Sequence, residues 1–93
     1  MKNLRVRVAD DVVSRVLDDE VVILNLGSGT YFGLDALGAR IWELITERGT
    51  TPAIVDEIVR EYDVDRDRCA EDVSRLLEEL QSKGLVEITN ADV

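Results

Sequence analysis

Few side chains in this sequence have the chemistry that catalysis or metal binding requires. The chain contains no histidine and one cysteine, Cys69, so a zinc site of the Cys/His type and an internal disulfide are both excluded. Cys69 falls on the apolar stripe of a predicted helix, which favours a small buried residue over a redox-active thiol. The serines show no elbow motif, and there is no histidine to act as general base. The sequence therefore predicts no catalytic residue, no metal site and no cofactor.

Two further patterns carry weaker chemical signals. The acidic pairs Asp10-Asp11, Asp18-Asp19 and Glu78-Glu79 are of the type that binds metals, but such pairs are more often solvated turns or helix faces. The Gly-Ser-Gly run at Gly27 to Gly29 lacks the longer Walker or dinucleotide pattern, and it leads into a strand instead of a helix. We therefore interpret this run as a hairpin turn and not as a phosphate loop.

Length and charge limit the class of protein. The chain has 93 residues, of which 45% are hydrophobic, which predicts one modest core and one domain over residues 1–93. Its apolar runs, such as Val21 to Leu24, are far shorter than the roughly 20 residues of a membrane helix, and the N-terminal stretch lacks a signal-peptide segment. We therefore expect a cytoplasmic protein. The formal net charge of -9 disfavours nucleic acid and anionic membranes as partners.

Residue types and turn signals predict strands in the first third of the chain. The predicted strands are Val6 to Val8, Val12 to Leu17, Glu20 to Leu26 and Thr30 to Leu34. The glycines of the turn at Gly27 to Gly29 permit positive φ angles, so the segment after them is expected to fold back antiparallel on the strand before them. The sequence therefore predicts a meander of three or four strands.

From Asp35 onward the hydrophobic period changes from two to about 3.6, which predicts helices. The first runs from Ala36 to Thr46 with Asp35 as its N-cap. The second follows the N-cap Thr51, with Pro52 at the first helical position, and ends near Tyr62. The third covers Asp65 to Lys83, is capped by Asp65 and closes at Gly84.

A last strand at Leu85 to Ile88 and a frayed tail at 89–93 complete the prediction. Three helices followed by a short strand resemble a winged helix-turn-helix, here preceded by the strand meander. The predicted fold class is therefore α+β.

The winged-helix pattern raises DNA binding as a hypothesis, and the charges of the third helix oppose it. A recognition helix needs basic residues that reach phosphates and base edges. The acidic residues of this helix outnumber its basic ones, and they are Asp65, Asp67, Glu71, Asp72, Glu78 and Glu79 against Arg66, Arg68, Arg75 and Lys83. The charges therefore disfavour DNA binding, and an acidic winged-helix transcription module is the alternative interpretation of this sequence.

The strand from Thr30 to Leu34 is expected to have an open edge, because the chain leaves the sheet for a helix directly after it. The strand carries no lysine or proline that would block pairing, so it is suited to adding a guest peptide as a further strand. The third helix is expected to line a groove beside this edge. The candidate groove residues are Ala70, Val73, Leu77 and Leu80, with Arg75 or Lys83, and the alternative is that the apolar ones belong to the core.

Several runs of this sequence together resemble one known family. They are VVILNLGSGTYFGLDALGARIWELI, the link REYDVD, and CAEDVSRLLEELQSKGLVEI, and they lie between Val12 and Ile88. The most specific pieces are GTYFGLD with GARIW, the YDVD link, the Asp72-Val73 pair and the final GLV. These runs closely resemble the PqqD-like proteins, which recognise the precursors of ribosomally synthesised and post-translationally modified peptides (RiPPs). The stand-alone recognition proteins of lasso-peptide pathways are among them.

The resemblance implies a winged-helix-like domain with an N-terminal three-stranded antiparallel sheet. It implies that the leader segment of a precursor peptide adds as an antiparallel strand to the third strand and lies against the third helix. The strand residues would be Gly29, Thr30, Tyr31, Phe32 and Gly33, and the helix residues would come from Asp72, Val73, Arg75, Leu76, Leu77 and Leu80.

The resemblance also implies a second partner, a separate processing enzyme such as a leader peptidase or a radical enzyme. No residue of the sequence indicates which of these enzymes is the partner, or to which pathway the protein belongs. Asp35 departs from the asparagine of many relatives, but both residues cap a helix, so little consequence is expected. An exposed edge also promotes self-pairing, so a monomer or a weak dimer is expected.

Overall fold

Two antiparallel sheets and three helices form the part of the chain that the computed structural model describes, residues 3–91. The elements in chain order are β1 (Leu4–Val8), β2 (Val12–Leu17), β3 (Glu20–Asn25), β4 (Tyr31–Leu34), α1 (Ala36–Glu47), α2 (Thr51–Glu61), α3 (Arg66–Ser82) and β5 (Val86–Asn90). The predicted mixed α+β class is confirmed. No helix within residues 3–91 combines the length and the apolarity that crossing a membrane requires.

The strands β2, β3 and β4 form one sheet with β3 in the centre. A two-residue turn joins β2 to β3, and its first residue, Asp18, has a φ of 59°. The turn between β3 and β4 is organised by Asn25, whose side-chain oxygen accepts hydrogen bonds from the backbone N–H groups of Gly27 (2.9 Å) and Ser28 (3.2 Å). Gly29 closes this turn with a φ of 75°, a conformation that glycine adopts without steric cost. The interpretation of this run as a hairpin turn is confirmed.

The first strand lies outside this meander. β1 pairs antiparallel with β5, with Val6 opposite Ile88. A period-two pattern identifies a strand but not its partner, and here the partner comes from the other end of the chain. β5 continues to Asn90, so Thr89 and Asn90 are strand residues and not part of the frayed tail that the sequence predicts. Residues 92 and 93 of that predicted tail lie outside the described residues.

The helices begin at polar caps. Asp35 accepts a hydrogen bond from the backbone N–H of Gly38 at 2.9 Å, and Asp65 accepts one from Arg68 at 3.1 Å. Both predicted caps are confirmed. The predicted cap of α2 is wrong by one residue, because Thr50 is the N-cap and Thr51 is the first helical residue. The Thr51 hydroxyl instead accepts a hydrogen bond from the backbone N–H of Leu4 at 3.1 Å, which holds α2 against β1.

The core lies between the inner face of the three-stranded sheet and the three helices. Its largest fully buried side chains come from every layer of the fold and include Ile23, Leu44, Ile45, Ile54, Ile58, Leu77, Leu80 and Leu85. Cys69 is buried in the same cluster, as its position on an apolar stripe predicts. Burial, aided by the nearby Asp72 carboxylate, raises the pKa of the Cys69 thiol, which keeps it protonated and unreactive near neutral pH.

Candidate functional site

Among residues 3–91, β4 is an edge strand that pairs with β3 on one side. The backbone N–H of Asn25 donates to the carbonyl of Thr30 at 2.8 Å, which fixes the hydrogen-bonding parity of this pair. In an antiparallel ladder, hydrogen-bonded and non-hydrogen-bonded positions alternate. Phe32 and Leu34 therefore bond to β3, whereas the N–H and C=O groups of Tyr31 and Gly33 point away from the sheet.

The same register assigns the side chains of β4 to two faces. Phe32 lies opposite the fully buried Ile23, so the Phe32 ring is on the face that the helices cover. Tyr31 lies opposite Leu24 on the outer face, where its side chain is 73% exposed. Because Phe32 and Tyr31 face opposite sides of the sheet, a strand paired with β4 would have contacts with both, each with alternate side chains of the guest.

An open groove of about 470 Å³ lies beside β4, on the side of the helices. It is bounded by β4, the first two turns of α1 and the middle of α3. Its lining residues are Phe32, Gly33, Leu34, Asp35, Leu37, Gly38, Ile41, Asp72, Arg75 and Leu76. Apolar side chains form most of this lining and charged groups stand at its rim, which is the general composition of a binding site that orients an apolar ligand by a few polar contacts.

The charged rim comes mainly from α3. Arg75 Nη1 lies 3.3 Å from Asp72 Oδ1, in an ion pair of two exposed side chains. Such a pair contributes at most about 1 kcal/mol, so Arg75 is free to turn toward a ligand at little cost. At the end of the helix, the Lys83 ammonium lies 5.5 Å from the centroid of the Phe32 ring. This cation–π contact connects the C-terminal end of α3 to β4.

The predicted site residues lie in four places. Phe32, Gly33, Asp72, Arg75 and Leu76 meet in the groove. Gly29 and Thr30 belong to the turn before β4, where the Thr30 hydroxyl is hydrogen-bonded to that of Ser28 at 3.0 Å, and Tyr31 is on the outer face. The structure places Val73, Leu77 and Leu80 in the core, all at most 2% exposed. These three shape the groove from below and do not line its surface.

The groove also contains residues that the sequence reasoning did not single out. Leu37, Gly38 and Ile41 of α1 form one wall. Leu37 and Ile41 are four residues apart on one apolar face of α1, a spacing that favours burial of both, but Leu37 is 39% exposed. Its position in the first turn, directly after an edge strand, was the available signal. Lys83, which the sequence offers as a candidate groove residue, does not line the groove and contacts the Phe32 ring.

An open strand edge beside an apolar groove is the arrangement of a peptide-binding module that works by strand addition. The chain belongs to the PqqD family, since the family model for coenzyme PQQ synthesis protein D (PqqD) matches residues 20–86. The sequence resemblance to PqqD-like proteins is therefore confirmed.

Solved structures extend the likeness beyond the matched segment. The structure of TbiB1 in complex with the TbiA(beta) leader peptide is 49% identical, with a TM-score of 0.83 over 87% of this chain and 94% of that one. The structure of lasso peptide synthetase B1 complexed with the leader peptide is 22% identical, with a TM-score of 0.81 over 89% of this chain and 98% of that one. At 22% identity, the similarity to lasso peptide synthetase B1 shows a shared fold and no more. No curated protein sequence matches the chain.

Proposed function

We propose that this protein binds the leader segment of a ribosomally synthesised precursor peptide, in the manner of a PqqD-like RiPP recognition element of a lasso-peptide pathway. The observation that carries the proposal is the pair of outward peptide groups at Tyr31 and Gly33 beside an apolar groove. The 49% identity to TbiB1, whose structure contains a leader peptide, supports it.

In this proposal the leader becomes a fourth strand next to β4 and runs antiparallel to it. Its backbone bonds to the N–H and C=O groups of Tyr31 and Gly33, which gives affinity without reading the sequence. Alternate leader side chains face the groove. Leu37 and Leu76 favour apolar side chains there, while Arg75 and Asp72 at the rim favour a polar neighbour. Selectivity comes from these pockets.

The protein in this proposal orders the leader and does no chemistry on it. A flexible leader loses conformational freedom on binding, and its core segment is then held at a raised effective concentration near a separate processing enzyme. That enzyme is of a class such as a leader peptidase or a radical enzyme, and the complex forms in the cytoplasm, with the recognition protein as a monomer or weak dimer. The chain acts as one domain, winged helix-turn-helix-like in its three helices, with β2–β3–β4 as the N-terminal sheet.

The alternative of a DNA-binding winged helix is disfavoured by the surface of α3. Its exposed residues include Glu71, Asp72, Glu78 and Glu79, which would repel phosphates. A mobility-shift assay at low salt is expected to show no complex with duplex DNA, and a shift that weakens as salt rises would favour the alternative.

The direct test is calorimetric titration of the protein with the leader peptide encoded beside its gene. We expect one-to-one binding in the micromolar range or tighter, and no heat from a leader of scrambled sequence. In an NMR spectrum of the labelled protein, the amides of Tyr31 and Gly33 should shift, because they would gain hydrogen bonds. No binding of the native leader at these concentrations would rule out the proposed function.

A further inference from the structure

The sheet has a second open edge at β2, on the side away from β4. Five of the six β2 residues are exposed, and among residues 3–91 this strand pairs with β3 alone. The Leu26 N–H donates to the Asp11 carbonyl at 2.8 Å, which sets the parity of the β2–β3 ladder. Val13, Arg15 and Leu17 therefore bond to β3, and the peptide groups of Val12, Ser14 and Val16 point outward.

This edge carries few of the devices that usually block pairing. β2 contains no proline, lysine or glycine in VVSRVL, and its β-branched residues favour the extended conformation. Its one charged residue, Arg15, lies opposite Val22 on the face of the sheet away from the helices. Val16 is 69% exposed, an unusual degree for a valine on the helix-facing side of a sheet. An exposed apolar edge of this kind is a template for a further strand.

An open groove of about 490 Å³ runs beneath the same edge. Ser14 and Val16 form its upper side, and Ala39 and Trp42 of α1 line it from below together with Tyr62, the residue after α2. A strand paired with β2 would direct alternate side chains into this groove, since residues opposite Ser14 and Val16 share their face of the sheet. Apolar side chains fit these guest positions.

Charge defines the rest of the guest. Asp10 and Asp11 precede β2, and Asp18, Asp19 and Glu20 follow it. Apart from Asp10, which lies 3.7 Å from Arg7, these carboxylates have no ion pair within the described part of the chain. Arg40, the cation that lines the groove, is already bound to Glu43 and Glu61, each at 2.6 Å. A guest with basic residues at both ends would complement this rim.

A second copy of the chain does not have that charge pattern. In an antiparallel β2–β2 pair centred on Ser14, Asp10 of one copy would lie opposite Asp18 of the other. Like charges placed directly opposite one another destabilise a strand pair, and each copy has a net charge of -9. Self-pairing in this register is therefore disfavoured, and the net charge opposes association of two copies in any other.

We propose that β2 is a second strand-addition site, which takes an extended segment of a partner protein with alternating apolar residues between basic ends. This site is separate from β4, because the two strands are opposite edges of one sheet. Both edges can be occupied at once, so the sheet joins two peptide segments in one five-stranded assembly. The proposal stands whether or not β4 binds a leader.

The test uses a synthetic probe in which three valines alternate with threonines between a pair of lysines at each end, and a twin with glutamates for the lysines. The labelled full-length protein is titrated with each by NMR. We expect the amides of Val12, Ser14 and Val16 to shift with the basic probe, its affinity to fall with added salt, and the acidic twin not to bind. Shifts confined to the acidic face of α3, or equal binding of both probes, would overturn the proposal.

Two variants separate this site from β4. Ser14→Pro removes an outward N–H of β2 and should abolish probe binding, whereas Tyr31→Pro should leave it unchanged. A triple variant, Asp18→Asn with Asp19→Asn and Glu20→Gln, keeps the turn, because asparagine tolerates the left-handed conformation of position 18. This variant should bind the basic probe about three- to tenfold more weakly than the wild type does. Probe binding that survives Ser14→Pro in a folded protein, or a wild-type homodimer that Ser14→Pro dissociates, would refute the assignment.

Discussion

The side-chain amide of Asn25 donates a hydrogen bond to the carbonyl oxygen of Gly84 at 3.0 Å. This contact connects the turn before β4 to Gly84, two residues beyond the end of α3, and so it fixes the β4 side of the candidate groove relative to the α3 side. The oxygen of the same amide accepts the bonds from Gly27 and Ser28 that shape the turn. One side chain therefore determines both the geometry of the edge strand and its position relative to the helix.

Replacing Asn25 by alanine should remove all three hydrogen bonds and lower the free energy of unfolding by about 1–2 kcal/mol. Leader binding should weaken as well, because the groove loses its fixed width. Asn25→Asp is the matched control, since it keeps the acceptor for Gly27 and Ser28 but loses the donor to Gly84. Urea unfolding and calorimetry on both variants distinguish the contribution of the turn hydrogen bonds from that of the hydrogen bond to Gly84. Unchanged stability of Asn25→Ala would show that the amide is dispensable.

Gly84 should resist substitution. Its φ of 72° lies in the left-handed region, and a Cβ there would meet the Asn25 Nδ2 atom at 3.3 Å. Gly84→Ala should therefore destabilise the fold by about 1–2 kcal/mol, measured by thermal or urea unfolding. Gly84→Asn should cost less, because asparagine adopts this conformation more readily. Equal stability of the alanine and wild-type proteins would contradict the strained backbone.

Tyr31→Pro should abolish leader binding and leave the fold intact. The Tyr31 N–H points away from β3, so proline removes a donor that a guest strand needs and none that the sheet uses. Tyr31→Ala keeps that N–H and should retain most of the affinity. Calorimetry measures binding, and circular dichroism checks the fold. If folded Tyr31→Pro bound the leader as tightly as the wild type, β4 would not be the site.

The contact between α1 and α2 should give the protein an acid-dependent stability. Arg40 donates hydrogen bonds to Glu61 from Nε at 2.9 Å and from Nη2 at 2.6 Å, and these bonds lower the pKa of the Glu61 carboxyl. A lowered folded-state pKa stabilises the protein above the ordinary glutamate pKa of about 4.3. This stabilisation is lost as the pH falls through the lower folded value.

Arg40→Met should return the Glu61 pKa toward its ordinary value. The free energy of unfolding should then depend less steeply on pH in the acid range. The measurement is NMR titration of the Glu61 carboxyl carbon, with urea unfolding at several pH values. Arg60→Met is the control for the Glu61 titration alone, because Arg60 acts on Glu61 only through its charge and less strongly than Arg40 does, whereas its own ion pair is with the buried Glu57. An Arg40→Met protein whose Glu61 titrates as in the wild type would refute the pairing.

The sequence predicts the helices well because each has both an apolar stripe and a polar cap. Asp35 and Asp65 mark the starts of α1 and α3, and the predicted end of α1 at Thr46 differs from the observed Glu47 by one residue. These signals are local, since each depends on residues within a few positions of one another. The pairing of Val6 with Ile88 is not local, and no short pattern could predict it.

The candidate site is only partly visible in the sequence for the same reason. The edge strand follows from the turn glycines and the helix after it, which are local features. The α1 wall does not, because Leu37 and Ile41 continue one apolar stripe whose two ends meet different neighbours. In α3 the spacing of the apolar residues identifies a buried face but not which of its members stand at the border, where Leu76 lines the groove and Leu80 is fully buried.

That border can be tested by two alanine substitutions on α3. Leu76 is half-buried and lines the groove, whereas Val73 lies one turn away and is 1% exposed. Leu76→Ala should weaken the affinity for the leader by about tenfold or more, as truncation of an interface anchor does. Its effect on the free energy of unfolding should be small. Val73→Ala should lower the free energy of unfolding by about 2–3 kcal/mol and leave the affinity of the folded protein nearly unchanged.

Urea unfolding and calorimetry, both at a temperature where each variant is folded, measure the two effects on the same samples. The contrast between the variants distinguishes a groove residue from a core residue more sharply than either one alone, because a general loosening of α3 would reduce stability and affinity together. If Val73→Ala reduced the affinity for the leader as strongly as Leu76→Ala did, the leader would reach the core side of the helix. The border of the groove would then have to include Val73.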